Sequence, residues 1–340
     1  RGFRIMKLSF GPWGETLDEF VDAGLIAEDK GFSTLWASEL HRTPFVPLSA
    51  LATKTKTIKI GSGVALAFLR SPLTLALTAL DLDEISNNRF ILGLGSGVKN
   101  LNLYWHDIDF GKPVNHIEDV VNICRKVISE SHLNPISYEG KEKKISLSGF
   151  DRPFTPKNTQ IPIYLGTVGP LMTKKCGEIA EGWISHELCS PMYLENNIIP
   201  KLKEGSKSNE IPKIVVSGLT VVDNDEKNAK RIAAGTVAFY ASVKTYDEFF
   251  TSHGFGAEAE IIRKLFRERK IGEMIESVPD EMVDTFAIAG NKEFVKEAID
   301  RYRGLADEIK LTPPTHYVTE EQTRFAQESI LELVKDGEAN

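Results

Sequence analysis

The sequence predicts a (β/α)8 barrel of the TIM class, with insertions. Short β-rich runs alternate with amphipathic helical stretches from one end of the chain to the other, the pattern of a parallel α/β fold. Eight strand signals can be counted, which suits a closed ring better than an open sheet. No internal repeat or low-complexity linker divides the chain, and 340 residues is a length such barrels reach. A single domain over residues 6–340 is therefore expected. Arg1–Ile5 precedes a Met6-Lys7 that reads like a natural start, and is taken as an expression remnant.

Leu8–Phe10 supplies the first strand. The following helix, Thr16–Lys30, has Leu17, Phe20, Val21, Gly24, Leu25 and Ala27 at helical spacing and stops at Gly31. Ser33–Ser38 reads as strand two and Pro47–Lys54 as a short helix. Lys59–Leu66 is strand three, and Pro72–Ser86 a helix with its proline in the first turn. Phe90–Leu94 is strand four and Ile117–Ser129 a helix. Ile163–Leu165, Trp183–Ser185 and Ile214–Val222 give strands five to seven, with helices at Leu171–Ala180, Met192–Lys203 and Glu226–Phe250. Phe294–Tyr302 and Glu308–Leu311 supply a last helix and strand. Asn134–Pro156 and Ser252–Asp284 exceed ordinary connections and are read as insertions at the barrel ends.

Composition narrows the function. A hydrophobic fraction of 41% excludes a disordered chain, and the formal charge of −7 argues against nucleic acid or an anionic membrane as partner. The longest apolar runs, Ile60–Leu69 and Ile214–Val222, fall well short of the roughly 18–20 residues of a membrane helix. Cys124, Cys176 and Cys189 form neither a metal spacing nor a disulfide framework, so a reducing, cytoplasmic setting is expected, and Cys124 and Cys176, within apolar helical patterns, read as buried structural thiols.

In a barrel of this class the chemistry sits where strands end, so candidates come from there. Strand two runs into Ser38-Glu39-Leu40-His41-Arg42. Glu39 and His41 could bind polar substrate groups or exchange a proton, or form a rim ion pair and a solvated imidazole. Gly61-Ser62-Gly63-Val64 suggests a bulge or close approach to a ligand, or tight packing. Arg70 could hold an anion or cap the sheet rim. Gly93-Leu94-Gly95-Ser96-Gly97 is glycine-rich, yet a dinucleotide fold wants such a loop after the first strand. Tyr164–Pro170 leads into a helix carrying Thr173, Lys174 and Lys175, an arrangement that suits an anion or a plain glycine turn. Ser185-His186-Glu187 ends strand six and places His186 as a ligand or rim residue. No metal-ligand spacing and no nucleophile elbow occurs.

The order and spacing of several segments resemble the luciferase-like superfamily of flavin and deazaflavin oxidoreductases, from Met6 to about Val334. They are Lys59–Val64 with Leu69-Arg70-Ser71-Pro72, Asp81–Arg89 before Gly93–Gly97, Gly111-Lys112-Pro113-Val114, and Ile161–Gly166 with Gly169–Met172. Within the superfamily the likeness is greatest to the coenzyme F420-dependent methylenetetrahydromethanopterin reductases. The resemblance implies a cofactor ring at the strand C-termini, coenzyme F420 or alternatively FMN. Gly63, Val64 and Ala65 would lie behind the ring, with a non-proline cis peptide between Gly63 and Val64. Ser96, Gly97, Thr167, Val168, Gly169 and Pro170 would hold its ribityl and phosphate groups. Glu39 and His41 would be catalytic, and Arg70 and His186 would face substrate or anion.

The implied activity is hydride transfer between the deazaflavin and a small organic substrate. The alternatives are an FMN-dependent monooxygenase and a non-catalytic flavin-binding protein. The resemblance also implies a homo-oligomer, a homodimer paired through the early helices. Three positions depart from the pattern. Gly11-Pro12-Trp13 stands where the reductases have a glutamate after strand one. Glu39-Leu40-His41 stands where relatives have an adjacent acid–histidine pair, and Val98 where sugar dehydrogenases carry a carboxylate.

Overall fold

The structure is a computed structural model that describes residues 5–133, 135–149, 152–208 and 210–334. Of the segment Arg1–Ile5, only Ile5 lies within them. Eight parallel strands close into a ring: β1 (Lys7–Phe10), β2 (Thr34–Ala37), β3 (Lys59–Ser62), β4 (Phe90–Gly95), β5 (Ile163–Gly166), β6 (Gly182–Ile184), β7 (Lys213–Val222) and β8 (Glu308–Thr312). Neighbours pair in chain order, and β8 returns to β1 in the register Lys7↔Glu308 through Phe10↔Leu311. This is the (β/α)8 barrel that the alternation of elements predicts.

The strands are buried on both faces, which explains their short, nearly continuous apolar runs. Leu35, Ile60, Leu92, Ile163, Ile214 and Val216 belong to the main core beneath the surrounding helices. A separate cluster of Trp36, Ile91, Tyr164, Ile184 and Val215 lies one residue out of step with them and fills the barrel interior.

The helices begin where side chains can accept free amides. Thr16, Ser71, Asp225 and Asn291 each cap the helix that follows, and Thr319 with Gln322 forms a capping box on Glu320–Leu333. The expected helix over Glu226–Phe250 is broken. It stops at Ser242, because Val243 turns to an extended conformation, and resumes at Asp247–Ser252. The long connection after Ser252 holds three helices, Gly256–Arg267, Ile271–Glu276 and Asp280–Phe286. Their Ala259, Ile262, Met274, Met282, Val283 and Phe286 pack with the 226–242 helix into a second apolar cluster. Three further elements have no counterpart in the sequence reading. They are the helix Lys99–His106, the hairpin Ser137–Glu139 with Lys144–Ser146, and the strand Ile288–Gly290 along the end of β7.

Strand three is shorter than its apolar run. β3 stops at Ser62, the Gly63–Val64 peptide is cis, and Ala65–Leu66 resumes pairing with β4. The β3 and β4 backbones approach closely at this point. The Ser62 hydroxyl donates to Gly93 O at 2.8 Å and accepts from Gly93 N at 2.9 Å. A Cβ on Gly93 would lie 1.8 Å from Ser62 O. Gly93→Ala should therefore destabilise the barrel by about 3 kcal/mol, the upper range for overpacking a well-filled core. Denaturant unfolding with an unchanged m-value would measure it, and a loss below about 1 kcal/mol would show that the strands can part there.

Candidate active site

All eight parallel strands deliver their C-terminal ends to one mouth, and the loops after β2, β3, β4, β5 and β6 meet there. Glu39 and Arg70 form one unit. Arg70 reaches both Glu39 oxygens, at 2.8 Å for Nη1 to Oε2 and through Nη2 to Oε1, while Glu39 Oε2 also accepts Leu66 N at 2.7 Å. The guanidinium lies 5.1 Å from the Phe45 ring centre. Each charge answers the other, so this pair braces the segment after β3. His41 remains exposed and borders a small cavity of about 190 Å³ with Leu66, Trp105 and His106. His316 stacks on Phe239 at 3.8 Å; burial, with His41 beside it, lowers the His316 pKa to about 4.

The Gly63 carbonyl is the best-anchored point of the mouth. It accepts the Ser38 hydroxyl at 2.8 Å and the Lys310 ammonium at 3.3 Å. Lys310 rises from β8 inside the barrel, and its burial lowers its pKa. Glu187 opposes that shift, and its own pKa is raised by burial. The Val64 side chain fills space that Gly95 and Gly166 leave vacant, since a Cβ on either would come within 3 Å of it.

Two polar atoms after β6 are shut off from solvent without partners among the described residues, His186 Nε2 and Glu187 Oε2. His186 is packed against Tyr246 and Phe249 at 5.3 and 4.9 Å, and burial lowers its pKa to about 3. Its Nδ1 accepts the Leu188 amide at 3.2 Å, so the neutral ring carries its proton on Nε2 and offers an unused donor.

The glycine loops are built differently from each other. Asn102 of the Lys99–His106 helix donates to Ser96 O at 2.9 Å and Val98 O at 3.0 Å, fixing the turn in which Gly97 has φ +64°. Thr167 faces inward, bonded to Thr173 Oγ1 at 3.0 Å and Trp183 Nε1 at 2.9 Å, leaving backbone rather than hydroxyl for a ligand. Val168 is partly buried, and exposed Gly169 and Pro170 open the helix Pro170–Ile179. Lys174 and Lys175 point away from this mouth, to Glu204 and to Glu118 with Glu178. Among the described residues no group of His, Cys, Asp and Glu could hold a metal ion, the three cysteines are buried and free, and no helix is long and apolar enough to cross a membrane. Glu187 and Lys310 were not singled out as site residues by the sequence. Lys310 sits mid-strand, where only the ring closure shows that it points inward.

A family model for luciferase-like monooxygenases matches residues 6–308. The chain belongs to that family. Its relatives include the 5,10-methylenetetrahydromethanopterin reductase of Archaeoglobus fulgidus, 30% identical over 81% of this chain and 83% of that protein. Among solved structures, the coenzyme F420-dependent tetrahydromethanopterin reductase of Methanopyrus kandleri superposes with a TM-score of 0.81 at 24% identity, covering 97% of this chain and 100% of that one. An F420-dependent secondary alcohol dehydrogenase in complex with an F420–acetone adduct follows at TM-score 0.71 and 17% identity, over 97% of this chain and 100% of that one. The resemblance read from Met6 to about Val334 is thus borne out at the level of family and fold.

Burying His186 in its neutral form has a defined pH sign. Its folded pKa lies below the unfolded value of about 6.5, so the unfolded chain binds the extra proton and stability falls as pH drops from about 6.5 towards 3. At pH 5 this histidine alone should account for about 2 kcal/mol of lost stability relative to neutral pH. His186→Phe should lose correspondingly less between pH 7 and pH 5 in urea unfolding; parallel losses in both proteins would remove His186 as the cause.

Proposed function

We propose that this member of the family is an oxidoreductase that uses coenzyme F420 to pass hydride to or from a small organic substrate at the C-terminal mouth of the barrel. The observation that carries the reading is the pair of unpartnered buried polar atoms, His186 Nε2 and Glu187 Oε2, beside a backbone bulge anchored by Lys310 and Ser38. Groups desolvated without partners cost stability unless a ligand completes them. The names of the Methanopyrus reductase and of the alcohol dehydrogenase support the same cofactor.

The residues present fit such a group. Space lies open above Gly169, where a Cβ would meet nothing within 4 Å, and in the first turn of the ten-residue helix behind it the Leu171 and Met172 amides have no intrahelical acceptors, Pro170 having no N–H and Thr173 N being bound to Gly169 O at 2.9 Å. In this reading those amides, with Val168 and the Ser96–Gly97 turn, hold the phosphate and ribityl portion. Gly63, Val64 and Ala65 support the ring from behind. The bound coenzyme supplies a carbon that gives or takes hydride. The protein's task is then to hold substrate against the opposite face and to exclude water. His186, neutral at physiological pH, offers Nε2–H to a substrate oxygen. Glu187, whose pKa is raised, can keep a proton near that oxygen. His41, exposed on the rim beside His316, can exchange a proton with solvent, while Arg70 and Glu39 keep the rim in place.

Spectroscopic titration should show F420 bound at least tenfold tighter than FMN, about 1.4 kcal/mol. Equal or tighter FMN binding would overturn the deazaflavin reading in favour of an FMN-dependent monooxygenase.

His41→Ala should lower F420-linked turnover by about 10²–10⁴ while leaving F420 affinity within about twofold, the pattern of a lost proton-exchange group. Turnover at the wild-type rate would make His41 an ordinary rim residue.

A further inference from the structure

The opposite end of the barrel carries a feature that the proposed reaction does not use. Three strands begin with lysine: Lys7 on β1, Lys59 on β3 and Lys213 on β7. Parallel pairing puts all strand starts at one mouth, and register decides which way each side chain points. Lys213 lies two residues before Val215 of the interior cluster. Lys59 is in register with Thr34, two residues before interior Trp36. Lys7 is in register with Glu308, whose carboxylate accepts the Trp36 indole N–H at 2.9 Å. All three lysines therefore turn towards the barrel axis.

They line an open cavity of about 860 Å³ whose inner wall includes Ile91, Tyr164 and Val215. That volume lies within the range of small-molecule sites, roughly 300–1,000 Å³. Tyr164, itself nearly fully buried, contributes to the cavity wall. None of the three ammonium groups has an ion-pair partner among the described residues, whereas the lining Glu28 and Glu308 accept neutral donors. Glu28 accepts the amides of Lys56, Thr57 and Ile58. Glu308 takes Trp36 and Thr34, and Asp307 accepts Ile214 N at 2.8 Å. Lys59 feels Lys213 and Lys7 as like charges, and its burial and these neighbours lower its pKa, with Glu308 opposing. Like charges gathered around a cavity repel one another until a multivalent anion enters.

We propose that the N-terminal mouth of the barrel is a second binding site, for a small organic molecule carrying two or more phosphate groups. Three lysines act as point charges on separate phosphoryl groups, as ammonium groups do in other phosphate sites. Ile91, Val215 and Tyr164 offer an apolar wall to the organic part. Orthophosphate offers the three lysines one phosphoryl group, a polyphosphate several.

The test is isothermal titration of the whole protein with tripolyphosphate, ADP and orthophosphate at low salt. Tripolyphosphate and ADP should each bind at one site, at least about tenfold tighter than orthophosphate. Lys59→Met combined with Lys213→Met should weaken both by at least about tenfold. Lys174→Met, at an exposed ion pair elsewhere, should leave them unchanged. Without ligand the double variant should be at least as stable as wild type, since it removes repulsion, so a folding defect would not be mistaken for lost binding. Absence of saturable binding, orthophosphate binding as tight as tripolyphosphate, or unchanged affinity in the double variant would each overturn the proposal.

Discussion

The contact on which the mouth depends is the approach of the β3 backbone to β4, where Ser62 and Gly93 exchange hydrogen bonds of 2.8 and 2.9 Å with no room for a side chain. Because β3 is held there, the chain beyond it must leave the ring and return at Ala65–Leu66. The Val64 side chain then occupies the space that Gly95 and Gly166 open on the next two strands. Gly63 O is left facing Ser38 and Lys310, so residues of β8 and of the segments after β2 and β3 converge on one carbonyl. The glycines along β4 and β5 thus serve packing first, and the shape of the mouth follows from them.

The two mouths of the same barrel differ in their electrostatics. At the C-terminal end, burial pushes titratable groups towards their neutral forms: His186 and His316 lose affinity for a proton, Glu187 gains it, and Lys310 is lowered. Such groups can donate or accept hydrogen bonds to a ligand without carrying full charge. At the N-terminal end, three lysines face an open cavity and keep contact with solvent. One end handles polarity by desolvation and the other by concentrated positive charge. The parallel arrangement keeps them on opposite sides of the Trp36–Tyr164 layer.

Glu39 and Arg70 show how a pair of chemical candidates can become scaffold. Each residue alone has the chemistry of a site group. Together they satisfy one another and fix the Leu66 amide, and Arg70 also lies over Phe45. The rim they hold is the one from which His41 reaches the small cavity beside Trp105 and His106. Losing either partner would leave the other charge partly buried and unpaired, a larger disturbance than the loss of one contact.

The eight barrel strands and the helices between them were legible in the sequence, because strands buried on both faces read as short apolar runs and the helices between them start at Pro, Ser, Thr, Asp or Asn. The glycine segments around Gly63 and Gly93 also showed where backbone must approach closely. What the sequence could not settle is direction. Whether Thr167 offers its hydroxyl or hides it under Trp183, and whether Lys175 meets a ligand or Glu118, depends on residues up to 57 positions away. Lys310 looks like any lysine until β8 closes onto β1 and turns it inward, towards Gly63 O, 247 residues earlier in the chain. The local pattern of side chains decided which segments become strands and helices. Only closure of the ring decided which of those side chains share a mouth, because a strand's inward face is set by its register with neighbours distant in the chain.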